Sequence, residues 1–84
     1  MTKIEIFTTP WCPYCSAAKS LLQRKGLAFE ETDVTDASLR ADMIQRANGR
    51  RTVPQIFVGD THVGGYDDLA ELERTGRLDP LLET

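Results

Sequence analysis

Two cysteines, Cys12 and Cys15, are the residues whose type and spacing most directly suggest chemistry in this sequence. They enclose Pro13 and Tyr14 and stand immediately before a segment whose apolar residues recur at helical spacing. A helix N-terminus carries unpaired N–H groups and a partial positive charge, which stabilise a thiolate at Cys12. Because Cys15 follows about one turn later, the two Cα atoms fall within the separation that a disulfide accepts. The spacing therefore predicts thiol–disulfide exchange, in which one sulfur attacks a substrate and the other resolves the mixed disulfide.

Three other interpretations of the cysteine pair stay open on the residues alone. A zinc site needs four ligands, whereas the chain offers two cysteines and a single histidine, His62. A purely structural disulfide would close a very small loop and contribute little stability. Buried and inert cysteines are the third alternative, although a helix start flanked by proline is an exposed place. Redox chemistry is the interpretation that the spacing favours most.

Composition and charge narrow the class of protein further. Hydrophobic residues make up 40% of the chain, which suits one globular domain over residues 1–84 and argues against intrinsic disorder. Ten basic and 13 acidic residues give a net charge of −3, so we expect no nucleic-acid partner. We expect no membrane association either, because no apolar run approaches the length of a membrane span. The first residues carry no apolar signal segment, so we expect a cytoplasmic protein, where a close cysteine pair is more often catalytic than structural.

The elements that must position the cysteines follow from hydrophobic periodicity. Strands are predicted over residues 3–7, 27–34, 55–58 and 62–63. Helices are predicted from Pro13 to just before Gly26, from a cap at Asp36 to residues 48–49, from residues 67–68 to just before Gly76, and as a last turn over 78–82. The order β-α-β-α-β-β-α indicates an α/β protein with a small four-stranded mixed sheet and helices on both faces. Its first two strands should be parallel in a right-handed crossover, and its last two should form an antiparallel hairpin.

Three segments of the sequence follow one another in a familiar order. They are Thr8-Thr9-Pro10-Trp11-Cys12-Pro13-Tyr14-Cys15, Thr52-Val53-Pro54-Gln55 and Gly64-Gly65-Tyr66-Asp67-Asp68-Leu69. Together they resemble the signature segments of the dithiol glutaredoxins, most closely the short bacterial, glutaredoxin-3-like type. The resemblance covers nearly the whole chain, and it implies a thioredoxin-like fold that agrees with the predicted topology.

The resemblance also implies an activity. A glutaredoxin is a glutathione-dependent thiol–disulfide oxidoreductase, which would reduce glutathione mixed disulfides and protein disulfides through Cys12 and Cys15. Glutathione would be a cosubstrate, with no bound metal or other cofactor. The implied partners are glutathionylated or disulfide-containing proteins and, through glutathione, glutathione reductase. The resemblance further implies a monomer.

Glutathione-binding residues are carried over from the resemblance position by position. Pro54 matches the family's cis-proline, and Val53 would pair its backbone with the cysteinyl part of glutathione. The helix that starts near Asp67 would hold the γ-glutamyl carboxylate, while Asp68 would take the α-ammonium group. Both acids also suit a first helical turn without any ligand. The complete implied set is Tyr14, Arg51, Thr52, Val53, Pro54, Gly65, Tyr66, Asp67 and Asp68.

The sequence departs from the family at Thr9, where many glutaredoxins carry a lysine. A lysine there would stabilise the thiolate and attract the glycyl carboxylate of glutathione. Arg51 or Arg50 is the expected substitute across the groove, the alternative being a solvated basic loop. Trp11 resembles the active-site tryptophan of thioredoxins, or is a partly buried apolar residue. His62 is expected on a strand surface.

Two rival functions remain for this chain. One is a glutaredoxin-like electron donor that is reduced by thioredoxin reductase. The Gly-Gly-Tyr-Asp-Asp segment at residues 64–68 argues against this function. The other is a non-enzymatic iron–sulfur carrier, in which Cys12 from two chains and two glutathiones ligate one cluster. A proline directly after the first cysteine disfavours this second function within the family.

Overall fold

The computed structural model describes residues 2–83, so Met1 and Thr84 at the ends of the predicted domain lie outside the described residues. Four strands and four helices follow one another in the predicted order, β-α-β-α-β-β-α-α. The strands are β1 (Ile4–Thr8), β2 (Glu30–Asp33), β3 (Gln55–Val58) and β4 (Thr61–Gly64). The helices are α1 (Pro13–Arg24), α2 (Ala37–Arg46), α3 (Tyr66–Arg74) and α4 (Leu78–Leu82).

The strands form one mixed sheet in the order β2-β1-β3-β4. β1 runs parallel to β2, with Phe7 opposite Thr32. β3 lies antiparallel to β1, with Ile56 opposite Ile6, and β4 completes the sheet as an antiparallel hairpin with β3. The predicted parallel pair and the predicted hairpin are both confirmed.

Successive side chains of the two central strands, β1 and β3, point to opposite faces of the sheet and build a core on each face. Ile4 and Ile6 of β1 pack with Ile56 and Val58 of β3 and with apolar side chains of α1, α3 and α4. Phe7 and Phe57 point to the other face, where they meet Met43 and Ala47 at α2. Three helices therefore cover one face and α2 covers the other, as the predicted layer arrangement requires.

The start of α1 is set by local chemistry. Cys12 is the N-cap, with extended φ and ψ of −110° and 104°, and Pro13 occupies the first turn, where its missing N–H costs nothing. The helix ends as predicted at Gly26, whose φ of +71° suits a residue without Cβ. β1 thus delivers the chain directly to a helix start that carries the first cysteine.

β2 is shorter than the predicted strand over 27–34. The N–H of Leu27 donates to Leu22 at 3.0 Å, and the N–H of Gly26 donates to Gln23 at 2.9 Å. These bonds complete the C-terminus of α1, so the chain must leave the helix before it can pair with β1. Among residues 2–83, no helix has both the length and the apolar character needed to cross a membrane.

Candidate active site

Cys12 and Cys15 form a disulfide at the junction of β1 and α1, with their Cα atoms 5.2 Å apart. The N–H of Cys15 points at Cys12 Sγ at 3.1 Å. Cys12 Sγ also lies 3.8 Å from the carbonyl oxygen of Val53, on the loop before β3. An N–H donor aimed at this sulfur, at the positive end of a helix, stabilises a thiolate once the disulfide opens.

The two sulfurs differ in their access to solvent. Cys12 is partly exposed at the N-cap, whereas Cys15 is 2% exposed and is among the buried residues of α1. A substrate from outside can therefore reach Cys12 first, and Cys15 can act only on what is already bonded to Cys12.

A groove beside Cys12, here named the Val53 groove, collects most of the predicted glutathione residues. Its lining residues are Tyr14, Arg50, Thr52, Val53, Pro54, Gly65, Tyr66, Asp67 and Asp68. The peptide bond between Val53 and Pro54 is cis. The rings of Tyr14 and Tyr66 stack with centroids 6.3 Å apart, and Tyr14 is 62% exposed at the rim. Residues from α1, the loop before β3 and the start of α3 thus converge on one surface.

Arg51 is the one member of the predicted set that does not line this groove. Its neighbour Arg50 lines it instead. The backbone carbonyl of Arg51 accepts a hydrogen bond from the Arg40 guanidinium at 2.9 Å, on the α2 side of the loop. Of the two arginines expected as substitutes for the family's lysine, Arg51 or Arg50, the structure places Arg50 in the lining of the groove.

The carboxylate of Asp68 organises the start of α3. It accepts the N–H of Gly65 at 2.9 Å and the guanidinium of Arg50 at 3.2 Å. The hydrogen bond from Gly65 and the neighbouring Arg50 hold the pKa of Asp68 below its usual range. Gly64, with a φ of +117°, has no room for a Cβ, which would collide with the Asp68 carboxylate and the Arg50 guanidinium.

Gln55 and His62 support the floor of the groove, and the sequence prediction missed this role. Gln55 is fully buried, and its side-chain amide donates to the carbonyl and the hydroxyl of Thr52 at 3.0 and 3.1 Å. The other end of the amide, Oε1, lies 2.6 Å from His62 Nε2. The Thr52 carbonyl can only accept a hydrogen bond, so the group of Gln55 that faces it must be the NH₂. The group of Gln55 that faces His62 is then the carbonyl oxygen Oε1, which accepts, and His62 Nε2 must carry the proton.

His62 lies on strand β4 as expected, where it is half-buried. Its ring stacks on Phe57 with centroids 4.8 Å apart, and burial followed by the nearby Arg50 charge lowers the pKa of His62. The residue opposite His62 in the hairpin is Phe57, so hairpin register alone did not indicate the contact between His62 and Gln55.

A second groove, here named the Trp11 groove, lies along the loop from β1 to α1 and takes in both cysteines. Its lining residues are Thr8, Thr9, Pro10, Trp11, Cys12, Pro13, Cys15, Ser16, Lys19, Glu31 and Asp33. Thr9 therefore shares a surface with Cys12, as predicted, but on this side and not in the Val53 groove. Lys19 pairs with Glu31 at 2.9 Å, and the hydroxyl of Thr8 donates to the same carboxylate at 2.7 Å. Hydrogen bonds from Lys19 and Thr8 lower the pKa of Glu31.

The structure brings no cluster of three or more His, Cys, Asp or Glu side chains together as a metal site within residues 2–83.

Comparison with known proteins decides the family. The glutaredoxin family model matches residues 4–63 of the chain. A glutaredoxin from Pseudomonas aeruginosa is 55% identical over 98% of this chain and 98% of its own length. Glutaredoxin 3 from Escherichia coli K12 is 50% identical over 99% of this chain and its whole own length. The chain belongs to the glutaredoxin family.

The resemblance seen in the sequence is thus confirmed, and so is the fold. A buckwheat glutaredoxin, solved as a complex with glutathione, superposes with a TM-score of 0.87 at 31% identity, covering 98% of this chain and 77% of the buckwheat chain. The fold of this glutaredoxin is thioredoxin-like, and the protein is a glutathione-dependent thiol–disulfide oxidoreductase with a Cys12–Cys15 pair.

Proposed function

We propose that this glutaredoxin removes glutathione from mixed disulfides and reduces protein disulfides, with Cys12 as the attacking thiolate and Cys15 as the resolving thiol. The position of Cys12 Sγ carries this assignment. The sulfur faces the N–H of Cys15 at 3.1 Å and stands 3.8 Å from the Val53 carbonyl at the edge of the Val53 groove. Burial of Cys15 keeps the resolving thiol out of reach of free substrate.

The Val53 groove is proposed as the glutathione site. The buckwheat relative supports glutathione as the ligand, since its structure is a glutathione complex. The choice of this groove rests on the predicted residues that line it beside Cys12. The backbone of Val53 would pair with the cysteinyl residue in the manner of an added strand. The first N–H groups of α3, at Asp67 and Asp68, would hold the γ-glutamyl carboxylate. Thr52, Pro54, Gly65 and Tyr66 would complete the walls.

Asp68 would bind the α-ammonium group of glutathione. The contacts from Gly65 and Arg50 both go to its Oδ2, and no donor within residues 2–83 forms a hydrogen bond with Oδ1. A carboxylate accepts several hydrogen bonds, so the second oxygen stays available for the ammonium. Arg50 and Tyr14 would then flank the glycyl end, so that Arg50, of the two arginines named in the sequence analysis, would take the role of the family's lysine.

The proposed reaction is two successive thiol–disulfide exchanges. The Cys12 thiolate attacks the glutathione sulfur of a mixed disulfide, which leaves glutathione on Cys12 and releases the substrate as a thiolate. A second glutathione thiolate attacks the sulfur of that glutathione, which frees Cys12 and forms glutathione disulfide. With a protein disulfide, the Cys12 thiolate attacks one of its two sulfurs and releases the other as a thiolate. Cys15 then attacks Cys12 Sγ of this mixed disulfide, which releases the second protein thiolate and forms the Cys12–Cys15 disulfide. Two glutathiones then reduce that disulfide and leave as glutathione disulfide.

Glutathionylated and disulfide-containing proteins are the proposed partners, and glutathione reductase would regenerate the glutathione. We propose the cytosol as the location, because a reducing glutathione pool is found there. A single domain over residues 1–84, a monomeric state and the lack of a bound cofactor stay predictions.

Serine variants of the two cysteines test the assignment. Cys12→Ser should abolish turnover of a small glutathione mixed disulfide, measured with glutathione, glutathione reductase and NADPH. Cys15→Ser should keep that activity but lose reduction of protein disulfides that need a resolving thiol. Thioredoxin reductase in place of the glutathione system should not support turnover. If Cys15→Ser removed both activities and Cys12→Ser removed neither, the two roles would be reversed.

A further inference from the structure

The side chain of Trp11, next to the active site, is almost completely exposed to solvent. Trp11 is the only tryptophan of the chain, it is 99% exposed, and it directly precedes Cys12. Tryptophan is on average one of the more buried side chains because so much of its surface is apolar. The folded protein therefore gains no burial from this indole.

The backbone of Trp11 is also unusual. Its φ of +62° lies in the left-handed region, which a bulky residue enters rarely because its Cβ approaches the following carbonyl oxygen. Glycine or asparagine would occupy such a position with less strain. Exposure and backbone strain together mean that Trp11 does not serve the stability of the fold, and strain of this kind concentrates at functional sites.

The surface beside Trp11 carries a net negative charge. Glu31 is offset by Lys19 at 2.9 Å. Asp33 accepts the N–H of Thr35 at 2.8 Å, and no cation within residues 2–83 forms an ion pair with it. The Trp11 groove thus offers an open aromatic face, both cysteines and one uncompensated carboxylate.

We propose that the Trp11 groove receives the polypeptide of a protein substrate, namely the residues that flank its glutathionylated cysteine. This inference rests on the proposed use of the Val53 groove by glutathione, since a glutathione held there leaves the protein part to the other side of Cys12. The indole packs on an aliphatic or cationic side chain of the substrate, and Asp33 favours a lysine or arginine next to the substrate cysteine. Trp11 thereby selects polypeptides over small disulfides.

Two substrate classes test the proposal with the same enzyme. One is a peptide glutathionylated on its single cysteine, and the other is the mixed disulfide of glutathione with 2-hydroxyethanethiol. Trp11→Ala should lower kcat/KM for the peptide at least about fivefold more than for the small disulfide, as expected for an aromatic anchor. Equal losses for both substrates would overturn the proposal. If the parent enzyme did not turn over the small mixed disulfide at all, that result would instead refute the proposed function itself.

A charge cycle tests the role of Asp33. Two glutathionylated peptides differ only in carrying lysine or glutamate beside the cysteine, and the ratio of their kcat/KM values is measured. Asp33→Asn keeps the acceptor for Thr35 but removes the charge, so it should reduce the preference for lysine about two- to fivefold at low salt. Asp42→Asn, an exposed acid on α2, should leave the ratio unchanged. A ratio that does not respond to Asp33 overturns the charge preference.

Thermal unfolding separates docking from a structural role. Trp11→Asn should unfold at the same temperature as the parent protein or up to about 5 °C higher, while losing selectivity for the peptide. A lower midpoint would make Trp11 a structural residue and overturn the proposal. A concentration-dependent dimer that Trp11→Ala abolishes would assign the groove to a second copy of the chain, which also overturns it.

Discussion

At the scale of single residues, the difference between Cys12 and Cys15 follows from helix geometry. Cys15 continues the apolar stripe of α1 through Ala18 and Leu22, at spacings of three and four residues, and all three are buried. Cys12 stands one residue outside the helix as its N-cap. Both placements could be predicted from the sequence, because a proline in the first turn fixes where the helix begins.

The choice between two consecutive arginines could not be predicted in that way. Arg50 and Arg51 have the same chemistry, and the loop that carries them has no repeating pattern. The guanidinium of Arg50 fits in the Val53 groove because Gly64 has no Cβ that would collide with it, and because the carboxylate of Asp68 pairs with it.

Alanine substitution of each arginine tests the role proposed for Arg50. Arg50→Ala should raise the KM for glutathione about threefold or more, because a cation facing the bound carboxylates is lost from an exposed site. Arg51→Ala is the matched control and should change KM little. A lower KM in Arg50→Ala would contradict the prediction and would mean that Arg50 competes with the ligand for Asp68. Steady-state turnover at varied glutathione concentration gives both values.

At the scale of elements, the sequence predicted those whose ends carry a clear signal. α1 begins at the proline and ends before Gly26, α2 is capped by Asp36, which accepts the N–H of Leu39 at 2.9 Å, and β3 has the predicted bounds. The fully buried Gln55 could not be predicted, since a glutamine in a strand normally faces solvent. Its partners on Thr52 and His62 become visible only when the hairpin and the loop are placed together.

Asp68 has a structural task besides its proposed ligand contact. Asp68→Asn should lower glutathione affinity about tenfold, the loss of one charge-assisted contact. It should also cost about 0.5–1 kcal/mol of unfolding free energy, because the carboxylate accepts the N–H of Gly65 at the start of α3. Asp67→Asn in the same helical turn is the control and should cost less stability. An unchanged KM in Asp68→Asn would leave Asp68 as a capping residue alone.

His62 should position the loop that forms the floor of the Val53 groove. In His62→Phe the ring can still stack on Phe57, but the donor to Gln55 Oε1 is lost. A buried amide oxygen left without its donor costs about 1–3 kcal/mol of unfolding free energy. The KM for glutathione should rise more than kcat falls, because Thr52 and Val53 lose support. Thr61→Ala, on the same strand but exposed, is the control, and equal effects in both variants would contradict the assignment.

At the scale of the whole molecule, acidic side chains bind distant parts of the chain together. Glu5 of β1 accepts two hydrogen bonds from Arg46 of α2, at 3.0 and 3.2 Å, and Arg46 lies over the Phe57 ring at 4.4 Å. The hydrogen bond from Arg46 lowers the pKa of Glu5. The net charge of −3 can be counted from the sequence, but these pairs could not be predicted from it, because their members are far apart in the chain.

Stability should therefore fall in two stages as the pH is lowered. The pKa of His62 is lowered by burial, so the unfolded chain takes up a proton first, and stability declines from about pH 6.5 downward. The pKa values of Glu5, Glu31 and Asp68 are also lowered. The stabilisation that these three carboxylates contribute is fully present above their unfolded-state pKa values near 4. It is lost as the pH falls through their lower folded-state pKa values.

Denaturant unfolding from pH 7.5 to 2.5 measures both stages of this decline. His62→Phe should abolish the upper stage and keep the lower one. Glu5→Gln should lower the unfolding free energy at pH 7 by about 0.5–1 kcal/mol, since the ion pair is partly exposed. The difference in unfolding free energy between Glu5→Gln and the parent protein should shrink as the pH falls through the folded-state pKa of Glu5. At that pH the Glu5 side chain of the parent becomes protonated and is as uncharged as the glutamine. Glu83→Gln, at the exposed end of α4, is the matched control. A difference between Glu5→Gln and the parent that stayed constant down to pH 2.5 would show that the Glu5–Arg46 pair does not carry the acid sensitivity.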